Sequence, residues 1–318
     1  MVETQPLITT LIPTCDRPRL LRRAVQSALD QTFFAIQVVI LDNASQEETR
    51  QVALSFQKKT KRVTYYRHSK KIAAIDNFQW GLAHVKTPFY SFLADDDYLA
   101  PSFYARALTL LARHPKAGFF IGSTLDVRAT GEPLYAPARK WPDQEYYDAG
   151  QGALHVIKNY INWTGTLFRT QATIVLKLDP RIKVFDLDWM IRLAARSPFV
   201  FSKTTCAYFV RHEQGYSTQA GLKLIWPSYL ILIDNAKKAF PQKLWKRAHP
   251  LLNQRLRRLL FSVGSRSILQ GLPCDSEPIR ALFFLRLLAY IVKICPWLTP
   301  FLRRLFALCC ALRYKKGL

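Results

Sequence analysis

From residue 7 onward, short apolar runs alternate with stretches whose apolar residues recur three and four positions apart. Leu7 to Ile12 is apolar and rich in β-branched residues and stops at "PTCDRP", after which "RLLRRAVQSALDQT" has helical spacing. A second, fully apolar strand is expected over Ile36 to Leu41, ending at Asp42. The "SQEET" that follows has Ser45 in the place of a helix cap and Glu48 three residues on. Arg62 to His68 reads as a third strand, "AIDNFQWGLAHV" as a helix and "PFYSFLADDD" as a fourth strand. Pro101 is placed to open a helix running to about His114, and "KAGFFIGS" reads as another buried strand. Strands alternating with helices predict an α/β fold: a doubly wound, mostly parallel sheet with helices on both faces.

Periodicity then lapses. "GEPLYAPARKWPDQEYYDAG", Gly131 to Gly150, is rich in Pro, Gly and aromatics and reads as a functional loop that covers a site rather than fills a core. It returns in "VFDLDWMIRLAARSPF", an amphipathic helix beginning near Asp186, with Leu187, Ile191 and Ala194 on one face and two acids at its start. From Pro241 onward fifteen Lys/Arg face only Asp275 and Glu277. Basic residues interrupt every apolar run there, so none approaches the ~18 to 20 uncharged residues of a spanning helix. Short apolar helices with basic stripes suit an anionic membrane surface, with Trp297 as an interfacial anchor; the alternative is a helical cap or a dimer interface.

Charge narrows the partners. The chain carries 46 Lys+Arg against 22 Asp+Glu, a formal +24, which predicts attraction to nucleic acid, anionic membrane or phosphorylated small molecules. No nucleic-acid motif is present, and the basic residues cluster with Leu and Phe. Six cysteines without metal-ligand spacing read as reduced thiols of a cytosolic protein, and "MVETQPLITT" lacks the pattern of a signal peptide.

Against that basic background, Asp16, Asp42 and Asp95 to Asp97 all follow apolar strands. In a doubly wound sheet they emerge on the edge where ligands bind. Acids converging beside apolar walls are costly unless a cation or hydrogen-bond donors join them. Carboxylate oxygens are hard ligands, which points to Mg²⁺ or Mn²⁺ rather than zinc.

Taken together and in this order, "LITTLIPTCDRPRLLRRAVQSALDQTF", "VVILDNAS", "FLADDDYLAP" and "FDLDWMIRLA" resemble glycosyltransferase family 2, inverting enzymes of GT-A fold that use nucleotide-sugar donors. The resemblance implies a catalytic domain over 1–220, with a nucleotide-binding half over 1–100 and an acceptor half over 101–220. The remainder, 221–318, lies outside it as a helical, basic, membrane-associating region. By resemblance, Pro13, Thr14 and Asp16, with Arg17 beside them, contact nucleobase and ribose, and Asp42 holds the uracil. Asn77 falls where the family has an Asn on the helix after the third strand; an ordinary polar helix face fits it equally, and Asp76 likewise.

The aspartate triplet resembles the DxD motif, in which acids hold the metal that bridges the donor diphosphate and contact the donor. One alignment uses Asp96 and Asp97, another Asp95 and Asp97 as the ends; Asp95 and Asp96 also fall on the nucleotide side, and Asp96 is the metal contact in this reading. Asp186 takes the place of the catalytic base, with Asp188 as runner-up on the acceptor side, and Trp163 offers acceptor sugars a flat face. Arg211 and His212 resemble a basic/His element near the diphosphate, His212 as a metal ligand.

The chain departs from the family pattern where Asp16 replaces a common Asn, "DNAS" replaces "DDGS" and Phe185 replaces a Glu. The Gln-x-x-Arg-Trp signature of processive synthases is absent, which favours single addition. The resulting expectation is a UDP-sugar-dependent transferase that uses Mg²⁺ or Mn²⁺. It acts on a glycan or a polyprenyl-diphosphate-linked acceptor of cell-surface polysaccharide, in the cytoplasm at the inner face of the membrane. The rivals are a non-catalytic polyanion or nucleic-acid binder, and a nucleotidyltransferase. The latter needs a Gly-rich phosphate loop where "PTCDRP" has no glycine.

Overall fold

Strand pairing accounts for the alternation. In the computed structural model, which describes residues 5–136, 140–159, 161–211, 222–269, 291–292, 295–302 and 304, four parallel strands build one half of the sheet. They are β1 (Ile8–Thr14), β2 (Ile36–Asp42), β3 (Val63–Arg67) and β4 (Phe89–Phe92), in the order β3-β2-β1-β4. The sheet continues through β9 (Thr166–Arg169), β6 (Phe119–Arg128) and β10 (Phe199–Arg211) to β5 (Tyr98–Leu99). Two short strands, β7 (Pro133–Tyr135) and β8 (Tyr146–Tyr147), pair with β6 and β10. Because β9 runs antiparallel to both β4 and β6, and β6 is parallel to β10, the latter two strands end on the same edge as β1 and β4. The sheet is therefore parallel from β3 to β4 and mixed beyond it.

Alternation along each strand divides the side chains between two cores. Ile8, Ile12, Ile36, Val38, Ile40, Phe89 and Leu93 face one core, shared with α1 (Pro18–Leu29), α2 (Glu47–Lys59) and α4 (Phe103–Arg113). Helix α1 opens on Pro18, whose missing N–H costs nothing in a first turn, and buries Leu21, Ala24, Val25 and Ala28. On the opposite face lies α3 (Ala74–Ala83). A Cβ at its Gly81 would clash with the Leu41 side chain and sit 3.4 Å from Leu11, so glycine is what lets the helix approach the strands closely.

The second core is aromatic. Tyr90, Phe92 and Phe168 on the sheet meet Phe78 on α3 and Trp189 on α7 (Phe185–Arg196), which packs against α5 (Gln151–Lys158). Part of the aperiodic segment joins this layer. Trp141 is 3% exposed and stacks on Phe201 at 4.2 Å, and Tyr147 stacks on Phe199 at 4.9 Å. Trp141 and Tyr147, in the segment expected to cover a site, are thus core, while Tyr135 and Tyr146 are half-buried and residues 137–139 lie outside the description.

The chain divides into two compact units: residues up to Pro180 with Phe185–Arg211, and Arg181–Val184 with the chain beyond Arg211. The second unit contains α8 (Leu222–Ala239) and α9 (Gln242–Leu269), which pack against each other. Helix α9 buries Ala248, Leu252 and Leu256 at four-residue spacing, while Lys243, Lys246, Arg247, Arg257 and Arg258 are exposed. Trp297 and Phe301 are 75% and 61% exposed. Among the described residues, no helix is long and apolar enough to cross a membrane. Cys15, Cys206 and Cys295 are free thiols.

Candidate active site

Parallel register sets Thr14, Asp42 and Arg67 in one row across the carboxyl ends of β1, β2 and β3. Beyond that row three loops are laced together. Asn43 N–H donates to Thr14 O at 2.9 Å, Asp16 N–H donates to Ser45 Oγ at 3.0 Å, and Gln46 N–H donates to Asp16 Oδ1 at 2.6 Å. Lys71 Nζ meets Asp16 Oδ2 at 2.7 Å, and the Asn43 amide exchanges two 2.9 Å bonds with the Ile72 backbone. Asp16 has φ 54°, a left-handed conformation that Asn and Asp tolerate best among residues with a side chain. Its carboxyl, hydrogen-bonded by Lys71 and the Gln46 N–H, is held below the ordinary range. Ser45, expected as a helix cap, instead accepts from Asp16; α2 starts at Glu47 without a side-chain cap.

Two expected nucleotide contacts are closed by this lacing. Asp42 is fully buried, its Oδ1 accepting from Ser45 N–H at 2.8 Å and its Oδ2 from the Tyr65 hydroxyl at 2.5 Å, with Arg67 Nε 3.6 Å away. Burial and that bond push the Tyr65 hydroxyl pKa up. Asn77 is 2% exposed, with Nδ2 on Leu41 O at 2.9 Å and Oδ1 on His68 Nε2 at 2.9 Å. Both residues brace the edge rather than face a ligand, because each polar group already has a protein partner. Pro13, half-buried, and Asp16, exposed, stand at the rim.

The triplet following β4 separates into three environments. Asp95 is 5% exposed; Thr14 Oγ1 donates to its Oδ2 at 2.7 Å and Arg17 Nη1 stands 3.0 Å from its Oδ1. Burial pushes its pKa up to about 6, against the pull of Arg17. Asp96, whose side chain is 17% exposed, has Oδ2 3.2 Å from the same Arg17 nitrogen, and its carbonyl accepts from Arg23 at 2.6 Å. Arg23 in turn lies over the Tyr98 ring, 4.8 Å from its centroid.

Asp97 is 1% exposed, accepting from Thr164 Oγ1 at 2.6 Å and from Val210 N–H at 2.9 Å, and burial lifts its carboxyl well above the ordinary range. Asp97, expected among the metal ligands, therefore ties the strand ends together, because both of its oxygens are engaged inside the protein.

The loop that supplies Thr164 also links the triplet to α7. Gly165 holds φ +84°, turning the loop between Thr164 and β9. Trp163, expected to offer a sugar its face, is 7% exposed and stacked on Phe92 at 4.4 Å, so that face is taken by the core. Its ring also meets Phe185 at 5.7 Å, and Phe185 is followed by Asp186, half-buried in the first turn of α7. Asp188 is 1% exposed and bound by Arg192 Nη2 at 2.7 Å and Nε at 2.8 Å, a buried ion pair within the helix. That pairing corrects its acceptor-side assignment. His212 lies outside the described residues.

Sequence reasoning missed Asp126, near the end of β6. It is fully buried, with Oδ2 gripped by Arg211 at 2.7 and 2.9 Å and Oδ1 without a hydrogen-bond partner among the described residues. An acid inside the apolar run "FFIGSTLDVR" was the available signal.

A divalent cation would have to draw on these donors. Among the described residues no three His, Cys, Asp or Glu gather to hold a metal by themselves. Mg²⁺ or Mn²⁺ needs only one or two carboxylates when water and substrate phosphates complete its shell. Asp96, with Asp95 beside it, meets that need, and a guanidinium already bridges the two.

The raised Asp95 pKa has a stability consequence. The folded state binds the proton more tightly than the unfolded chain, so this contribution is complete below pH 3.8 and is lost as pH rises through about 6. In urea melts across that range, Asp95→Asn is expected to remove a fall in stability of about 3 kcal/mol. An unchanged pH profile would contradict the assignment.

The sequence profile described as Glycosyl transferase family 2 matches residues 9–173. A GalNAc(5)-diNAcBac-PP-undecaprenol beta-1,3-glucosyltransferase of Campylobacter jejuni is 29% identical over 115 residues, 36% of each chain. An uncharacterized glycosyltransferase of Rickettsia typhi is 26% identical over 106 residues, 33% of this chain and 32% of that one. The aligned stretch thus spans about a third of each of these two curated relatives. Among solved structures, Staphylococcus aureus TarS in complex with UDP-GlcNAc superposes with a TM-score of 0.67 at 13% identity, covering 96% of this chain and 88% of that one. The mannosyltransferase PcManGT of Pyrobaculum calidifontis, in complex with GDP-Man and Mn²⁺, gives 0.53 at 14% identity over 98% and 87%. These superpositions show the GT-A fold, and the profile match over more than half of the chain shows that it belongs to glycosyl transferase family 2.

Proposed function

We propose that the protein is an inverting glycosyltransferase that moves a sugar from a nucleotide-sugar, UDP-linked by preference, to a hydroxyl of a glycan or polyprenyl-diphosphate-linked acceptor. The observation that carries this reading is the pair Asp95 and Asp96 at the carboxyl edge, bridged by Arg17, with Asp186 reached across the Trp163–Phe185 contact. Family membership supports the reaction class. The UDP-GlcNAc and UDP complexes of TarS support the donor, the Mn²⁺ complex of the mannosyltransferase supports a cation, and the undecaprenol-linked substrate in the Campylobacter relative's name supports the acceptor class.

In this reading Asp96, with Asp95, holds a Mg²⁺ or Mn²⁺ ion. When bound, the ion neutralises charge on the departing nucleoside diphosphate. Pro13 and Asp16 line the nucleoside side, and Thr14, buried behind them, holds Asp95. Asp186 accepts the proton of the acceptor hydroxyl as that oxygen bonds to the anomeric carbon; the carbon–oxygen bond to the diphosphate breaks and its electron pair leaves with the nucleotide. Asp42, Asn77 and Asp97 keep the edge in shape. The exposed cations of α9, with Trp297 and Phe301, are the surface that would hold the protein on the anionic inner face of the membrane, where surface polysaccharide is assembled.

Calorimetric titration with UDP, GDP and dTDP, each with and without Mn²⁺, is expected to give metal-dependent binding of one nucleotide that Asp96→Asn abolishes; binding of none to folded protein would refute the reading. Asp186→Asn is expected to keep donor affinity within about twofold while turnover falls by roughly 10² to 10⁴. Retention of turnover would move the base elsewhere. Co-sedimentation with vesicles containing anionic lipid should exceed that with neutral vesicles and drop in a Trp297→Ala, Phe301→Ala double variant; equal pelleting with both vesicle types would remove the membrane role.

A further inference from the structure

Helix α1 turns Leu21, Ala24, Val25 and Ala28 into the core and carries Arg19, Arg22 and Arg23 on the side away from it. Its 12 residues include no acid. Arg19 stands in the first turn, where the helix dipole disfavours a cation, and arginines three and four positions on repel it. That arrangement costs the helix stability unless negative charge comes from outside. Across an open groove of about 470 Å³ the arginines face Lys59 and the buried Phe56 of α2. Arg19, Arg22 and Lys59 are exposed, and none of the three forms an ion pair among the described residues. The acid lining the groove, Asp30, accepts from Gln26 Nε2 at 2.8 Å. Shortly beyond the end of α1, Phe34 is 74% exposed.

Resting on the reading of a membrane-linked acceptor, we propose that this face of α1 docks on the phosphate headgroups of an anionic membrane, as a contact of the catalytic unit itself. Charge complementarity selects the occupant. Four cations spread along one open groove suit a surface of many phosphates, whereas a single soluble phosphate needs donors that converge in a closed pocket. The exposed Phe34 adds an apolar side chain of the kind that enters the headgroup boundary. Arg23 joins the groove to the aspartate triplet: it lines the one and donates to the Asp96 carbonyl at 2.6 Å in the other. Helix α1 begins at the carboxyl end of β1, so its docking holds the donor edge beside the headgroup layer, where a lipid-linked acceptor carries its diphosphate.

The test is co-sedimentation of the full chain with vesicles of phosphatidylglycerol and phosphatidylcholine, against phosphatidylcholine alone. It compares the parent with an Arg19→Gln, Arg22→Gln, Lys59→Gln triple variant, Arg23 being kept because it holds the triplet. A control variant, Lys86→Gln, Lys116→Gln, Arg196→Gln, removes the same charge from exposed positions elsewhere in the catalytic unit. Melting curves establish that each is folded. The α1 variant is expected to lose roughly 10²-fold in partition onto the anionic vesicles, from three cations near the surface, and the control only a few-fold. If the α1 variant stays within twofold of the control while the Trp297→Ala, Phe301→Ala variant still loses binding, α1 docking is overturned and the membrane reading stands. If the parent pellets equally with both vesicle types, both fall together. Displacement of the parent by inorganic phosphate at constant ionic strength would reassign the groove to a soluble anion and overturn the proposal. So would loss of poly(U) binding in the α1 variant with its vesicle binding intact, which would reassign the face to nucleic acid.

Discussion

Three consecutive carboxylates behind a buried strand are tolerable only if each receives its own donors, because desolvated negative charge costs several kcal/mol when left alone. The donors come from far along the chain: Thr14 and Arg17 for Asp95, Arg17 and Arg23 around Asp96, Thr164 and the Val210 N–H for Asp97. Satisfying that short turn therefore fixes the end of β1, the start of α1, the loop before β9 and the end of β10 relative to one another. The edge of the sheet is organised around its acids.

The same constraint sorts the three by role. Asp95 and Asp97 are drawn inward and held; Asp96 keeps the most contact with solvent of the three, 17% of its side chain against 7% for Asp95. Asp42 and Asp126 repeat the inward pattern on β2 and β6, each buried and each met by an arginine, Arg67 and Arg211. Burying an acid with a partner rigidifies the frame, whereas chemistry needs a group that exchanges partners. Asp96 and Arg17 at the triplet, and Asp186 at the start of α7, are less deeply buried than Asp42 and Asp126.

Strand alternation carries the two sides toward each other. One face of the sheet packs aliphatic side chains against α1, α2 and α4; the other packs rings, from Phe78 and Phe92 through Trp163 to Phe185. Stacked rings are stiff and bury large areas, so Trp163 serves better as the wall between the triplet and α7 than as a platform for sugars.

Hydrophobic period and short motifs are local properties, so the main alternation of strands and helices through β6, the common edge of the acids and the family were legible in the sequence. It placed Asp95 and Asp96 at that edge for the same reason, and Asp186 at a helix start. Only the tertiary structure decided which acids are open. Asp42 and Asp97 look identical in sequence to an exposed ligand, yet Tyr65, Thr164 and Val210, 23, 67 and 113 positions distant, close them. Trp163, Tyr147 and Trp141 became core because partners such as Phe92, Phe199 and Phe201 lie across the sheet, which no periodicity reports. The Arg17 bridge arose the same way: one cation between two carboxylates, 78 and 79 residues away, is a product of parallel register.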